Sequence, residues 1–245
     1  MRKTSFGSTC LEDLGIVVER VHDEIGSLED DMQDISNGDG SIYKCVYVPS
    51  RTITLDCRAF EDTWADFDSL ISSLVNAFLI SREEQQLRVR TRNGYYMAHF
   101  TGYAEGDREG GIGVGAFELT FVASDPYLLA DEETSVSIGT STSSFVIGGG
   151  GPVRVRISCD NARRAAVTKD WGVMVDNYID TILPVPVSTA SSIVIDSETR
   201  TATVNGESAM LTLQSNWLEL PPGEHLARVS DGSGNATLKW RERSL

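Results

Sequence analysis

The sequence is poor in the residues that most often carry chemistry. Among 245 residues there are four cysteines and three histidines, and none are grouped. Cys10, Cys45, Cys57 and Cys159 show no Cys-x-x-Cys spacing, and His22, His99 and His225 stand far apart. A zinc centre built on clustered thiolate and imidazole ligands is therefore not expected, and no other metal or cofactor motif is present. Three of the cysteines lie in apolar or alternating stretches, where a thiol behaves as a small hydrophobe, which fits folding in a reducing cytoplasm. No run approaches the roughly 18 apolar residues of a membrane span. The basic start Met1-Arg2-Lys3 leads into Phe6-Gly7-Ser8-Thr9-Cys10 instead of an apolar core, which argues against a secretory signal.

Positive charge is also scarce. Lysine and arginine number 21 against 36 acidic residues, a formal net charge of -15. Residues 1–130 hold 22 acidic and 11 basic groups, and residues 131–245 hold 14 and 10. This field disfavours nucleic acid and anionic membrane as stable ligands, although a wall that DNA merely passes would tolerate it.

What is present is a strand-rich pattern with one helix. Leu14 to Val18 reads as a short strand, and Glu29 to Asp39 as an acidic loop ending in the turn Asn37-Gly38-Asp39-Gly40. In Arg51 to Ala59, Ile53, Leu55, Cys57 and Ala59 share one face while Thr52, Thr54, Asp56 and Arg58 share the other, the period of a half-buried strand. The period then lengthens. Trp64, Phe67, Leu70, Ile71, Leu74, Val75 and Phe78 recur at three- and four-residue steps, predicting an amphipathic helix over about 63–80, with Thr63 and Asp66 as its N-terminal cap. Leu87 to Arg92, Asn93-Gly94 and Tyr95 to Phe100 spell a hairpin, followed by a glycine-rich loop over 110–115 and an alternating strand from Ala116 to Val122. Asp125-Pro126-Tyr127 ends that strand, because proline lacks the ladder donor, and marks the junction between two domains, 1–130 and 131–245. Beyond it Pro152 to Ile157, Ser192 to Ile195, Ala202 to Val204, Trp217 to Leu220 and Ala236 to Trp240 read as short strands separated by turns, the rhythm of a β-sandwich.

Candidate chemistry fares poorly beside this architecture. Gly111-Ile112-Gly113-Val114-Gly115 resembles a phosphate cradle, but a strand follows where a helix is needed; Gly148 to Gly151 reads equally as a loop. Asp231-Gly232-Ser233-Gly234-Asn235 lacks the distal glutamate of a calcium loop. No nucleophile motif accompanies any histidine, so no catalytic residue is assigned and an enzyme is not expected. Arg88, Arg90 and Arg92 make a basic stripe on one strand face, read as pairing with acidic side chains of a neighbouring strand or subunit. Trp171, Trp217 and Trp240 are the candidates for stacking on a sugar, and each sits in or beside an alternating run that favours core packing.

The ordered set of motifs resembles the distal tail protein family of long, non-contractile-tailed bacteriophages. Asn37-Gly38-Asp39-Gly40-Ser41, then Arg51-Thr52-Ile53-Thr54-Leu55, resemble the family's glycine-aspartate-glycine turn and "R-x-I-x-L" strand. The helix, the hairpin, and Gly115-Ala116-Phe117-Glu118-Leu119-Thr120-Phe121 leading into Asp125-Pro126-Tyr127 follow in the family's order. Trp217 to Glu224 resembles its "W-x-x-L-x-P-G-x-N" segment, with His225 in place of the usual asparagine, and Trp240-Arg241-Glu242-Arg243 resembles its closing strand.

This resemblance implies a mainly β protein: an α+β N-terminal ring-forming domain with one helix, and a galectin-like C-terminal β-sandwich. It implies a structural virion protein of the tail tip, synthesised and assembled in the host cytoplasm. Six copies would form a ring joining the tail tube protein to the tail-tip hub or fibre protein, with DNA only in transit and no membrane partner. The sequence singles out no residue for the ring interfaces. The alternatives are a carbohydrate-binding protein acting through the C-terminal sandwich and a hydrolase of cell-wall polysaccharide.

Overall fold

The computed structural model describes residues 3–24, 28–36, 39, 41–81, 83–109, 113–163, 170–177, 179–183, 191–230 and 234–245. The chain divides into two compact units, one ending at Leu128 and the other spanning Leu129–Ser244.

The first unit holds β1 (Ser5–Phe6), β2 (Thr9–Cys10), a 3₁₀ turn (Glu12–Leu14), β3 (Ile16–Glu24), β4 (Glu29–Asp34), β5 (Ser41–Tyr47), β6 (Arg51–Glu61), α1 (Trp64–Ile80), β7 (Gln85–Arg88), β8 (Tyr96–Glu109) and β9 (Gly113–Ala123). Seven strands form one sheet in the order β2-β1-β7-β8-β9-β6-β3. At its heart β6 and β9 pair antiparallel over their whole length, from Arg51 opposite Ala123 to Glu61 opposite Gly113. Their inward residues, Ile53, Leu55, Cys57 and Ala59 on one strand and Phe117, Leu119, Phe121 and Ala123 on the other, are buried. The helix lays Phe67, Ile71, Leu74 and Phe78 on that apolar face. Phe78 meets Phe6 edge-on at 5.0 Å between ring centroids and Phe121 at 5.9 Å, so β1, the helix and β9 share one aromatic cluster.

The helix begins where expected. Thr63 is extended and its hydroxyl accepts from the Asp66 N–H at 3.2 Å. Elsewhere in this unit several elements differ from expectation. The acidic stretch from Glu29 is a strand rather than a loop, because β4 finds a partner in β5. Leu14 belongs to the 3₁₀ turn, and β3 starts at Ile16 and continues to Glu24. β7 ends at Arg88, and the connection to β8 turns at once, with the Arg92 N–H donating to the Val89 carbonyl. Arg88, Arg90 and Arg92 therefore do not share one strand face. Gly113 and Gly115 lie within β9 and not in a loop. Their bare backbones let the helix approach: a Cβ on Gly115 would sit 2.7 Å from the Phe67 ring.

The second unit contains β10 (Leu128–Ile138), β11 (Ser143–Ile147), β12 (Val153–Arg154), β13 (Arg156–Ala162), β14 (Trp171–Val175), β15 (Ile179–Leu183), β16 (Ser191–Asp196), β17 (Thr201–Val204), β18 (Glu207–Ser208), β19 (Glu219–Leu220), β20 (Gly223–Val229) and β21 (Ala236–Ser244). A six-stranded sheet, β10-β21-β13-β16-β17-β18, and a four-stranded sheet, β11-β20-β14-β15, enclose one core. Ile157, Ile193, Ile195 and Leu238 enter it from the first sheet, and Phe145, Trp171, Val173, Val175 and Val229 from the second. The Pro152 to Ile157 alternation is split between β12 and β13, since the Val155 N–H leaves the sheet to donate to the Leu218 carbonyl. The result is a mainly β chain with one α-helix among the described residues.

Candidate functional site: the anchored junction and the exposed ribbon

Arg51 opens β6 in phase with Ile53 and Leu55, which turns its side chain inward, where only 1% of the residue is exposed. A buried guanidinium needs a counter-charge and hydrogen-bond acceptors. Its Nε lies 2.5 Å from Asp23 Oδ1, and one terminal nitrogen donates to the Pro126 carbonyl at 3.0 Å. Its plane stands over the Tyr96 ring, 5.1 Å from the centroid. Asp23, itself nearly buried, also receives Arg92 at 3.1 Å and the Tyr96 hydroxyl at 3.0 Å on its other oxygen. Burial, and then the Asp23 charge, push the Tyr96 phenol up to about 12.

Asp125-Pro126-Tyr127, the expected junction, is thus tied down on the side of the first unit. Asp125 accepts from the Tyr127 N–H at 3.3 Å, closing a local turn, and the preceding Ser124 N–H donates to Glu84 at 3.1 Å. Sequence reading identified the junction but not its anchor. The signal was available: the two-residue period that buries Ile53 and Leu55 buries Arg51 as well.

The ribbon of β4 and β5 is a sheet of its own. All seven residues of β5 are exposed, and in β4 only Asp31 is half-buried. A bulge opposite Asp31 and Met32 breaks the simple alternation, so Met32, Tyr43 and Val46 project to one side while Ile42, Cys45 and Tyr47 project to the other. Acidic Glu29, Asp30, Asp31 and Asp34 are interleaved with them, with Tyr47 donating to Glu29 at 2.5 Å and Lys44 lying 3.7 Å from Asp31. A two-stranded ribbon is marginal in water, and one with apolar side chains on both faces leaves surface that gains by being covered.

The remaining sequence candidates are dispersed. His22 is exposed, 2.9 Å from Asp56, at the rim of a shallow hollow of about 250 Å³ lined also by Glu24, Thr52, Thr54 and Glu118. His99 lies 4.0 Å from Glu84, and His225 is buried in the second unit. The described residues bring together no group of three His, Cys, Asp or Glu side chains suited to a metal. Asn37, Gly38 and Gly40, Gly110 to Ile112, and Asp231 to Ser233 lie outside the described residues. Gly148 to Gly151 is a clasp and no phosphate cradle: the Gly150 and Gly151 N–H groups both donate to the Arg243 carbonyl, at 2.7 and 3.2 Å. Trp171 and Trp240 are buried in the core, and Trp217 packs half-buried against it. The described residues include no helix long and apolar enough to cross a membrane.

Comparison with known proteins gives the class first. Residues 9–123 match a family model described as a phage tail protein RIFT-related domain, and residues 154–243 match the C-terminal domain of the siphovirus-type tail component. The chain is a tail component of a siphovirus-type phage, and it belongs to the siphophage distal tail protein family. Its fold is that of the Dit protein (gp 19.1) of phage SPP1, described as a paradigm of the hub adsorption apparatus in phages infecting Gram-positive hosts: 18% identity, 99% of both chains covered, TM-score 0.80. Two structures of the activated phage P2 baseplate, with calcium and with strontium, align at 11% and 8% identity, covering 98% and 96% of this chain and 91% and 93% of theirs, with TM-scores of 0.45 and 0.49. No curated protein matches the chain.

Proposed function

We propose that this protein is a structural ring subunit, six copies closing around the DNA path between the tail tube protein and the tail-tip hub. The observation that carries the reading is the exposed ribbon. A closed cyclic ring needs two different surfaces on each subunit, one donated and one received. The β4–β5 ribbon, acidic and apolar on both faces, has the form of a donated arm, because neither the apolar core nor either large sheet of the chain uses it. The receiving surface on the neighbour would include the free edge of β3, at the end of the seven-stranded sheet.

The outward face of β3, β6 and β9 suits the wall of a DNA channel. It presents Glu24, Asp56 and Glu118 among Thr52, Thr54 and Thr120, with Arg20 opposite Asp56, His22 opposite Thr54 and Arg58 held by Glu19 and Glu109, and a net-acidic, hydroxyl-rich wall would repel phosphate instead of holding it. The second unit is read as a galectin-like sandwich. Assembly takes place in the host cytoplasm, and the role is mechanical rather than enzymatic. Trp171 and Trp240 serve the core, which removes two of the three indoles that a sugar-stacking role would use.

Solution mass tests this. The full chain should give a hexamer, or sixfold rings in negative-stain images, and a chain with residues 28–47 replaced by a short glycine linker should remain monomeric and folded. A wild-type chain that stays strictly monomeric at high concentration, and fails to assemble with tail partners, would refute the proposal.

A further inference from the structure

An open sheet leaves a row of unpaired main-chain groups at each edge, and native proteins blunt such rows with charge, shortness or a cover. The sandwich of the second unit has four edges, and three are blunted. β10 carries Asp131, Glu132 and Glu133, all exposed. β18 is two residues long and includes Glu207. β15 is capped: the Ile182 N–H donates to the Ser215 hydroxyl at 2.9 Å, and the Ile182 carbonyl accepts from the Thr212 N–H at 3.1 Å and from the Ser215 hydroxyl at 3.0 Å. β11 has none of these devices. It ends the four-stranded sheet and pairs with β20 without a bulge, from Ser143 opposite Ala227 to Ile147 opposite Gly223. No charged residue occurs from Thr134 to Val153, and no proline interrupts the strand.

The surroundings define what fits there. Phe145 and Ile147 are buried in the core and hold the strand in place, while Ser144 and Val146 face solvent, Val146 with 65% exposure. Across from them on β20 stand Leu226, 43% exposed, and the exposed Glu224. Free N–H and C=O groups of an edge are satisfied by the backbone of another strand, and Val146 with Leu226 offers that strand apolar neighbours on the outer face. A residue of the added strand beside Val146 would lie two strand spacings from Glu224, about 9.6 Å, which an extended lysine or arginine and the glutamate span together. A second copy of β11 fits less well. It brings no cation to Glu224, and five residues a side falls short of the roughly 20–30 of a stable interface. A segment tethered within a larger assembly needs no such area, because its effective concentration makes up the difference.

We propose that β11 is a strand-addition site, taking an extended, alternating apolar segment of a partner protein that carries a basic residue beside Val146. The site lies in the second unit and does not rest on the ring: a chain that stays monomeric yet takes a strand here would refute the ring and keep this site. Amide NMR of the full chain, titrated with a synthetic peptide of alternating valine and threonine bearing one central lysine, tests it. The peptide should shift and protect every second amide of β11 and leave the edges β3 and β10 unchanged. Val146→Lys should weaken it at least about fivefold, since an apolar cross-strand contact is lost and two like charges meet. A peptide with glutamate in place of the lysine should bind more weakly to the wild-type chain. No response of β11 to excess peptide, an equal response at β3 or β10, or no preference for lysine over glutamate would each overturn the proposal. Protection of β11 that rises with protein concentration in the absence of peptide would assign the edge to a second copy and overturn it too. If Val146→Lys misfolds, the comparison of the two peptides on the wild-type chain decides.

Discussion

Replacing Arg51 by Met is the sharpest test of how the first unit anchors its own last residues around Pro126. Met keeps much of the arginine stem's volume, so packing is largely retained and the charge is lost. Removing one partner of a buried ion pair costs about 3–5 kcal/mol, chiefly because the other charge is left unpaired. Here Asp23 keeps Arg92 and the Tyr96 hydroxyl, which places the Arg51→Met cost toward about 3 kcal/mol. The Pro126 carbonyl also loses its donor, worth about 1 kcal/mol more.

Asp23→Asn should be the harsher change. It leaves a guanidinium with 1% exposure facing a neutral amide, toward about 5 kcal/mol. Urea unfolding separates the two units by their chromophores, since three of the four tryptophans, Trp171, Trp217 and Trp240, lie in the second unit. The far-ultraviolet dichroism transition of the first unit should move to lower urea in both variants, while the tryptophan fluorescence transition stays in place. Hydrogen exchange at Tyr127 should also accelerate. A loss below about 1 kcal/mol, or Asp23→Asn milder than Arg51→Met, would show that the pair behaves as a solvated surface bridge and would sink the anchor argument.

Three further outcomes follow from the same structure. Burial pushes the Cys57 thiol up to about 12, as it does the Tyr96 phenol; both hold their protons more tightly folded than unfolded, so stability should be full below pH 9 and should decline between pH 9 and 12, and Cys57→Ala should flatten the slope in alkaline urea titrations. Cys45 is exposed on the ribbon while Cys57 and Cys159 are buried, so a thiol reagent at pH 8 should modify Cys45 at once and the other two only on unfolding, and ring assembly should protect Cys45. Gly149→Ala should destabilise the second unit by at least ~2 kcal/mol, because Gly149 has φ 78° and a Cβ there would overlap the Arg243 carbonyl oxygen; thermal unfolding followed by tryptophan fluorescence checks this.

Periodicity made the centre of each unit legible. Ile53, Leu55, Cys57 and Ala59 announced β6, and the three- and four-residue spacing from Trp64 to Phe78 announced α1 within a residue of its ends. Both signals are local and come from one buried face. The ribbon was illegible for the opposite reason: with acidic and apolar residues on both sides, Glu29 to Asp34 has no single face for a pattern to reveal, and reads as loop. β10 hid in the same way behind Asp131-Glu132-Glu133, charges that an edge strand tolerates. Glycine misled in β9, where Gly113 and Gly115 serve close helix packing, a tertiary cause that composition cannot announce. Arg51 and Asp23 were missed as a site because each looks solvent-facing until the strand phase is followed past the apolar residues.

The placement of β21 has a consequence for the order of events during synthesis. It stands inside the six-stranded sheet, between β10, the first strand of that unit, and β13, and the clasp on Arg243 closes over its far end. The second unit therefore cannot complete its core until residues 236–244 have left the ribosome, whereas the first unit has every strand it needs once residue 128 emerges. A nascent chain spends the intervening time with a finished first unit and an exposed ribbon beside an open sandwich. If the ribbon is the contact between copies proposed above, neighbouring chains on one messenger can meet through it before either second unit has closed.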